Sequence, residues 1–208
     1  DIPNLLFDPA GGALTGQYYQ ATREFEPGNG IKFNEDGTYY ISLLAQRTGL
    51  NVGGAGDWLY ATLQTGAGNE IATWGINSSD EFLTTGLGSY QHLGNAAADE
   101  VYFLVCKIVT YADSNDEIYL KAYADDDKID MVETTDWTIS GSNEDVSLTA
   151  EKLYFDVGWK DPYSANIDEI RVGTTWSDVV IPEPTTLIFT LLGSAFMVKK
   201  LRATGSRR

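Results

Sequence analysis

Carboxylates dominate the reactive side chains of this sequence, and their spacing limits what they could do. Asp168 and Glu169 stand side by side in NIDEIRVGT (166–174). A sandwich glycosidase needs two acids two apart on one strand, so that both project into one cleft, whereas adjacent strand residues point to opposite faces. Asn166, Ile170 and Arg171 supply no second acid at that spacing, so no catalytic residue and no enzymatic activity is expected; a cleft glycosidase would require a second acid across from Asp168 or Glu169. His92 is the sole histidine, which excludes a zinc site built on two histidines. It leaves one candidate for a Ser-His-Asp relay, in a Gly-rich stretch where a solvated loop histidine is the plainer reading. Asp113, Asn115 and Asp116 in one turn, and Asp125, Asp126 and Asp127 in the next, are hard oxygen ligands at loop spacing suited to calcium. Neither follows the Asp-x-Asp/Asn-x-Asp/Asn-Gly pattern, and a solvated hairpin turn accounts for both; calcium is the one ion worth testing, and no other cofactor is expected. Gly-x-Gly pairs begin at Gly28, Gly54, Gly66 and Gly86, but Phe33, Leu59, Ile71 and Gln91 occupy the place of the third glycine of a dinucleotide loop, so they read as turns. Trp58, Trp74, Trp137, Trp159 and Trp176 could stack on sugar rings where exposed, although tryptophan in a sandwich is usually core. Trp159, beside Lys160 and Asp161, and Trp58 are the candidates for glycan stacking.

These groups would be positioned by strands. TYYISLLAQ (38–46), DWLYATLQ (57–64), NEIATWGI (69–76), VYFLVCKIVT (101–110), DEIYLKAY (116–123), EKLYFDVGW (151–159) and NIDEIRVGT all follow a period of two. Gly/Asn/Asp/Ser stretches at 49–57, 64–69, 111–116, 124–128 and 140–145 separate them as turns. No stretch of a dozen residues before Pro182 carries a helical stripe, and 82–98 reads as a long loop with a short helical turn. Seven or more strands without intervening helices must bury their apolar faces against another sheet, which predicts an all-β, two-sheet antiparallel jelly-roll sandwich. Cys106, the single cysteine, shares a strand face with Tyr102, Leu104 and Ile108, so a buried structural thiol is expected and an intrachain disulfide is impossible.

Charge divides the chain in two. Residues 1–180 carry 9 bases against 29 acids, and residues 181–208 carry five bases and one acid, Glu183. The acidic part repels phosphate backbones, so nucleic acid is not an expected partner, and an acidic glycan would need a cation between. In the last 28 residues, IPEPTTLIFTLLGSAFMVKKLRATGSRR, Pro182, Glu183 and Pro184 precede an apolar run over 185–198 and a basic end over 199–208 holding Lys199, Lys200, Arg202, Arg207 and Arg208. The prolines keep the main chain extended, the apolar block can enter a bilayer, and the bases stop translocation. At about 1.5 Å per residue the run spans roughly 21 Å against a hydrocarbon core of about 30 Å, a gap that extension through Leu201 with lysine snorkelling and local thinning would close. A C-terminal transmembrane helix is therefore expected after the sandwich.

This tail resembles the PEP-CTERM protein-sorting signal of exopolysaccharide-producing Gram-negative bacteria, also known as the ice-binding protein C-terminal domain type of tail. The resemblance implies an exported protein anchored in the inner membrane through the tail and its lipid contacts. An exosortase-type membrane enzyme would read Pro182, Glu183 and Pro184 and remove the tail, delivering the protein to the cell surface or extracellular matrix. Between 33 and 179 the strand layout, ending in IDEIRVGTTWSDV, resembles concanavalin A-like, LamG-type jelly-roll domains, with 167–176 as the closing strand. Residues 1–32 match poorly and are expected to be an incomplete remnant, since the sequence opens at Asp1 without a methionine or an apolar leader. The expected organisation is thus 1–32 remnant, 33–180 sandwich and 181–208 sorting tail. The expected function is a non-enzymatic exported surface or matrix module, with a carbohydrate-binding or adhesive module as the alternative and a polysaccharide as a candidate partner.

Overall fold

The computed structural model describes residues 14–16, 18–48, 58–86, 89–97, 99–125, 127–142, 145–158 and 164–180. Strands β1 (Leu14–Gly16), β2 (Tyr18–Glu24), β3 (Ile31–Lys32), β4 (Gly37–Thr48), β5 (Trp58–Gln64), β6 (Glu70–Ile76) and β7 (Phe82–Gly86) come first in the chain. They are followed by β8 (Ser89–Leu93), β9 (Val101–Thr110), β10 (Glu117–Tyr123), β11 (Ile139–Ser142), β12 (Thr149–Ala150), β13 (Lys152–Gly158), β14 (Ser164–Gly173) and one short helix, α1 (Trp176–Val180). One six-stranded sheet has the order β1-β14-β4-β9-β10-β11 and the other β2-β13-β5-β6-β7-β8, while β12 pairs with β3. All these pairings are antiparallel. The seven strands expected from the period of two are β4, β5, β6, β9, β10, β13 and β14.

Alternation places one side of each sheet in a shared core. Ile41, Leu43 and Ala45 of β4, and Leu104, Cys106 and Ile108 of β9, face Leu59, Ala61 and Leu63 of β5, Trp74 of β6 and Leu153, Phe155 and Val157 of β13. Cys106 is fully buried as expected, and burial pushes its thiol well above the ordinary range. A one-residue slip in any of these strands would exchange its core face for its solvent face, so the apolar pattern fixes the register.

Several expectations are corrected. The sandwich does not begin at residue 33, because β2 pairs along its whole length with β13, and β1 pairs with β14. β2 is an edge strand whose inward parity holds Ala21 and Arg23, so its alternation is faint. Residues 82–98 hold the hairpin β7–β8 rather than a loop with a helical turn. β8 closes the second sheet and leaves Tyr90 and Leu93 exposed, which removes the apolar contrast that marks a strand. The closing strand ends at Gly173, and Trp176 opens α1. There the Asp178 carboxylate accepts hydrogen bonds from the N–H groups of Thr174 (3.1 Å) and Thr175 (2.8 Å), a capping-box arrangement. Among the described residues no helix is long and apolar enough to cross a membrane, and the expected membrane helix, with the rest of 181–208, lies outside the described residues.

In the Asp113 to Asp116 turn, only Asp116 is turned away from solvent. Asp116 is fully buried, with Oδ1 accepting from Tyr111 N–H (3.0 Å) and Oδ2 from Val146 N–H (3.0 Å), whereas Asp113 and Asn115 are exposed. Among the described residues no group of three or more His, Cys, Asp or Glu side chains is placed to hold a metal ion. Asp116 instead ties the 111–116 loop to the segment before β12. Asp116→Ala leaves two buried N–H groups without an acceptor and should cost about 2–4 kcal/mol in urea unfolding. Added millimolar calcium should shift neither protein's melting temperature.

Candidate functional site

The two sheets present very different outer faces. On the first, Tyr40, Val105 and Tyr123 form a second small core with Trp176, Val179 and Val180 of α1, packed also against Phe103, Ile129 and Trp137. The roof is pinned by polar contacts. Trp176 Nε1 donates to the Asp130 carbonyl (2.8 Å), Ser42 Oγ to the Val179 carbonyl (2.9 Å), and Tyr40 Oη to Glu133 Oε2 (2.8 Å). Lys107 Nζ pairs with Glu133 Oε1 (2.5 Å) and sits 5.5–5.9 Å from the ring centres of Tyr40, Tyr119 and Trp137. That face is closed.

Among the described residues nothing covers the second sheet's outer face, which carries a groove of about 320 Å³. Its walls follow from strand parity. In β5, Trp58, Tyr60 and Thr62 project outward because Leu59, Ala61 and Leu63 project inward, and in β13 Tyr154 and Asp156 do the same opposite Leu153, Phe155 and Val157. Thr73 and Glu70 of β6 and Thr85 of β7 complete the lining. The register sets Asp156 beside Tyr60 and Tyr154 beside Thr62, and Thr62 in turn beside Thr73. The Thr62 and Thr73 hydroxyls, both buried, bond to each other across the strands at 2.9 Å, forming a polar floor.

The aromatic wall is built with care for space. The Trp58 and Tyr60 rings stack with centres 6.2 Å apart and planes 18° from parallel. The Trp58 indole lies over Gly158, its cross-strand partner; a Cβ there would stand 2.4 Å from Cε2. Gly75, opposite Tyr60, has φ +148, and a Cβ there would run into the Leu59 carbonyl, so only glycine lets β6 approach β5 at this point. Trp58 Nε1 is buried without a hydrogen-bond partner among the described residues. Burial, then Tyr90 and Asp156, push the Tyr60 phenol up to about 12, so it stays a neutral donor. Asp156 accepts a long contact from Gln20 Nε2 (3.5 Å). At the far edge His92 Nδ1 meets Glu81 Oε2 (3.0 Å), and hydrogen bonds from Asn77 and then His92 hold the Glu81 carboxyl below its usual range.

A larger cavity of about 480 Å³ lies at one end of the sandwich, near Glu24, Glu26, Lys32 and Glu151. Its bases are engaged, Lys32 by Glu35 (3.0 Å) and Lys152 by the Gly66 carbonyl (2.8 Å), and the one aromatic ring among its described lining residues, Phe25, is buried. It offers no stacking surface, and the groove is the better candidate.

Of the residues singled out from sequence, Trp58 lines this groove and Trp159 lies outside the described residues, as do Pro182, Glu183, Pro184 and the terminal bases. His92 is exposed as expected, but on strand β8 rather than in a loop. Asp168 and Glu169 lie on β14, in the other sheet, at a register shift where Glu169 adopts φ +51 and both are exposed. Glu169 pairs with Arg171 (3.2 Å). Sequence reasoning missed Tyr60, Tyr154 and Asp156, although the parity that buries Leu59 and Phe155 already put them on one outer face.

No known protein-family model matches the sequence, and no curated protein matches it either. Among solved structures the chain is similar to a sialidase at 13% identity and TM-score 0.52, over 83% of this chain and 16% of that one. It thus spans about a sixth of the sialidase. It is also similar to the exoplasmic/lumenal domain of VIP36 in a Ca²⁺-bound form, at 11% identity and TM-score 0.50, over 85% of this chain and 84% of that one. At these identities the likeness shows the fold alone, an antiparallel β-sandwich.

Gly158→Ala should displace the Trp58 indole and change tryptophan emission while the far-ultraviolet dichroism stays that of the sandwich, because Gly158 needs no positive φ. Alkaline pH should also discriminate. Burial first, with neighbouring carboxylates, raises Tyr40 and carries Tyr119 and Tyr123, like Tyr60, to about 12. The unfolded phenols ionise near pH 10, so the folded state binds more protons between the two values and stability should fall as pH rises from about 10 to about 12. Urea midpoints across that window check it, with Tyr60→Phe removing part of the slope.

Proposed function

We propose that this chain is an exported, non-enzymatic jelly-roll module that binds carbohydrate in the groove of its second sheet. The observation that carries this reading is the stacked Trp58–Tyr60 pair beside a floor of threonine hydroxyls, on the one open sheet face among the described residues. Sugar rings present apolar C–H faces and hydroxyl edges, and this combination of aromatic planes with a few convergent polar groups suits both. Binding is favoured over hydrolysis by the spacing of the groove's acids. Asp156 is level with Tyr60 and Glu70 with Gln64, two strands across, which places their backbones about 16 Å apart. A glycosidase pair needs its carboxyls within about 5–9.5 Å.

In the same proposal residues 181–208 act as the sorting tail, delivering the sandwich to the envelope surface or matrix after exosortase-type processing. The support is the order of the Pro-Glu-Pro triplet, the apolar run and the basic end in the sequence, and the acidic sandwich facing a basic tail suits export with the bases left inside.

Titration of soluble oligosaccharides against tryptophan emission tests the binding reading. Saturable binding should weaken at least about tenfold, equivalent to about 1.4 kcal/mol, in Trp58→Ala. Absence of binding to any neutral, amine-bearing or acidic oligosaccharide would sink it, and new reducing ends would replace it with an enzyme. For the tail, replacing Pro182, Glu183 and Pro184 with alanine in an exosortase-bearing host should leave membrane insertion intact and abolish the mass loss seen in the wild-type protein. Equal masses for both would reduce the triplet to a linker.

A further inference from the structure

We propose that the groove selects amine-bearing sugars, polymers of glucosamine whose 2-amino groups are free and protonated, over acidic sugars. The inference rests on the carbohydrate-binding reading and narrows it to a chemical class. Among the described residues, the charged groups lining the groove are two carboxylates, Glu70 and Asp156, and no Lys or Arg lines it. Among the described residues, Lys152 extends on β13 from the row next to Tyr154, its ammonium held by the Gly66 carbonyl at 2.8 Å and 3.8 Å from Glu24. A uronate or sialate carboxylate entering the groove would lose its hydration opposite two like charges and meet no cation among the described lining residues. An ammonium entering the same space meets opposite charge and the faces of Trp58 and Tyr60, which attract cations through their quadrupoles.

Spacing supports a polymer over a single sugar. Glu70 and Asp156 stand at opposite ends of the groove with the stacked rings nearer Asp156, so one carboxylate can meet one amine while a ring stacks and the other can meet an amine further along the chain. The surrounding field acts in the same sense. Residues 1–180 carry a net charge of −20, which concentrates polycations near the surface and repels polyanions. Such selectivity is sensitive to salt, because the groove is open and its charges are screened within a Debye length.

Three oligomers of matched length separate the outcomes: glucosamine oligomers, their fully N-acetylated counterparts, and oligogalacturonate. Binding is measured by calorimetry on the wild-type protein at mildly acidic pH and low salt. The glucosamine oligomer should bind at least about tenfold more tightly than the acetylated one, with no detectable binding of oligogalacturonate. Raising the salt tenfold should erase the preference, and a Glu70→Gln/Asp156→Asn double variant, which keeps the side-chain shapes and the rings, should bind both glucosamine forms alike. Equal affinity for the amine and the acetylated oligomer in the wild type, or binding of oligogalacturonate, overturns the selectivity while the carbohydrate-binding reading stands. Binding of none of the three overturns the selectivity as well, and counts against the broader reading, which the neutral-sugar titration then decides. A preference that survives in the double variant also overturns the proposal, since it would place the discriminating charge elsewhere.

Discussion

The groove depends on burial behind it. Leu59, Ala61 and Leu63 of β5 and Leu153, Phe155 and Val157 of β13 are sealed against the first sheet, and each fully buried Leu or Phe is worth about 1.5–3 kcal/mol relative to exposure. That burial leaves Trp58, Tyr60, Tyr154 and Asp156 no direction but outward. A slip of one residue would bury Asp156 and expose Phe155 in β13, or bury Tyr60 and expose Leu59 and Leu63 in β5, so the core that stabilises the sandwich also fixes which side chains line the groove.

The same rule gives the first sheet an outer face with a different fate. Tyr40, Val105 and Tyr123 point out there as Tyr60 and Tyr154 do on the second sheet, yet they are covered by α1 and by residues around 129–137. The cover holds through the Trp176–Asp130, Ser42–Val179 and Lys107–Glu133 contacts. A buried aromatic set with its polar tips satisfied stabilises; an aromatic set left uncovered beside hydroxyl and carboxylate edges is suited to a ligand. The difference lies in what the chain lays over each sheet, and strand patterns carry no record of it.

That distinction explains what was legible. The seven strands with strong alternation were readable, as was the burial of Cys106, because period and parity are local properties. β2, β7 and β8 were not: β2 and β8 are edge strands with Arg23 or Tyr90 where apolar residues would mark a buried face, and β7, between β6 and β8, places Thr84 there. α1 escaped because five residues make no helical stripe, although Thr175 followed by Asp178 is a helix-start signature. Asp116 looked like an ion ligand because sequence shows its type and not its direction; the fold turns it inward onto two backbone N–H groups. The groove was half legible, Trp58 by type and its companions by parity alone, because their meeting depends on which strands become neighbours.

Building the site from strands rather than loops has an energetic consequence. Tyr60, Thr62, Tyr154 and Asp156 sit in the interior of paired strands, and Thr62 and Thr73 are locked to each other, so little conformational freedom remains to be lost when a ligand arrives. The acidic chain has no disulfide to brace it, and bracing comes instead from the shared core and the roofed face opposite. Rigidity at the groove is thus a by-product of the packing that keeps the domain folded. Adjusting ligand preference then falls to the few outward positions that packing leaves unconstrained, above all the charges at the two ends of the groove.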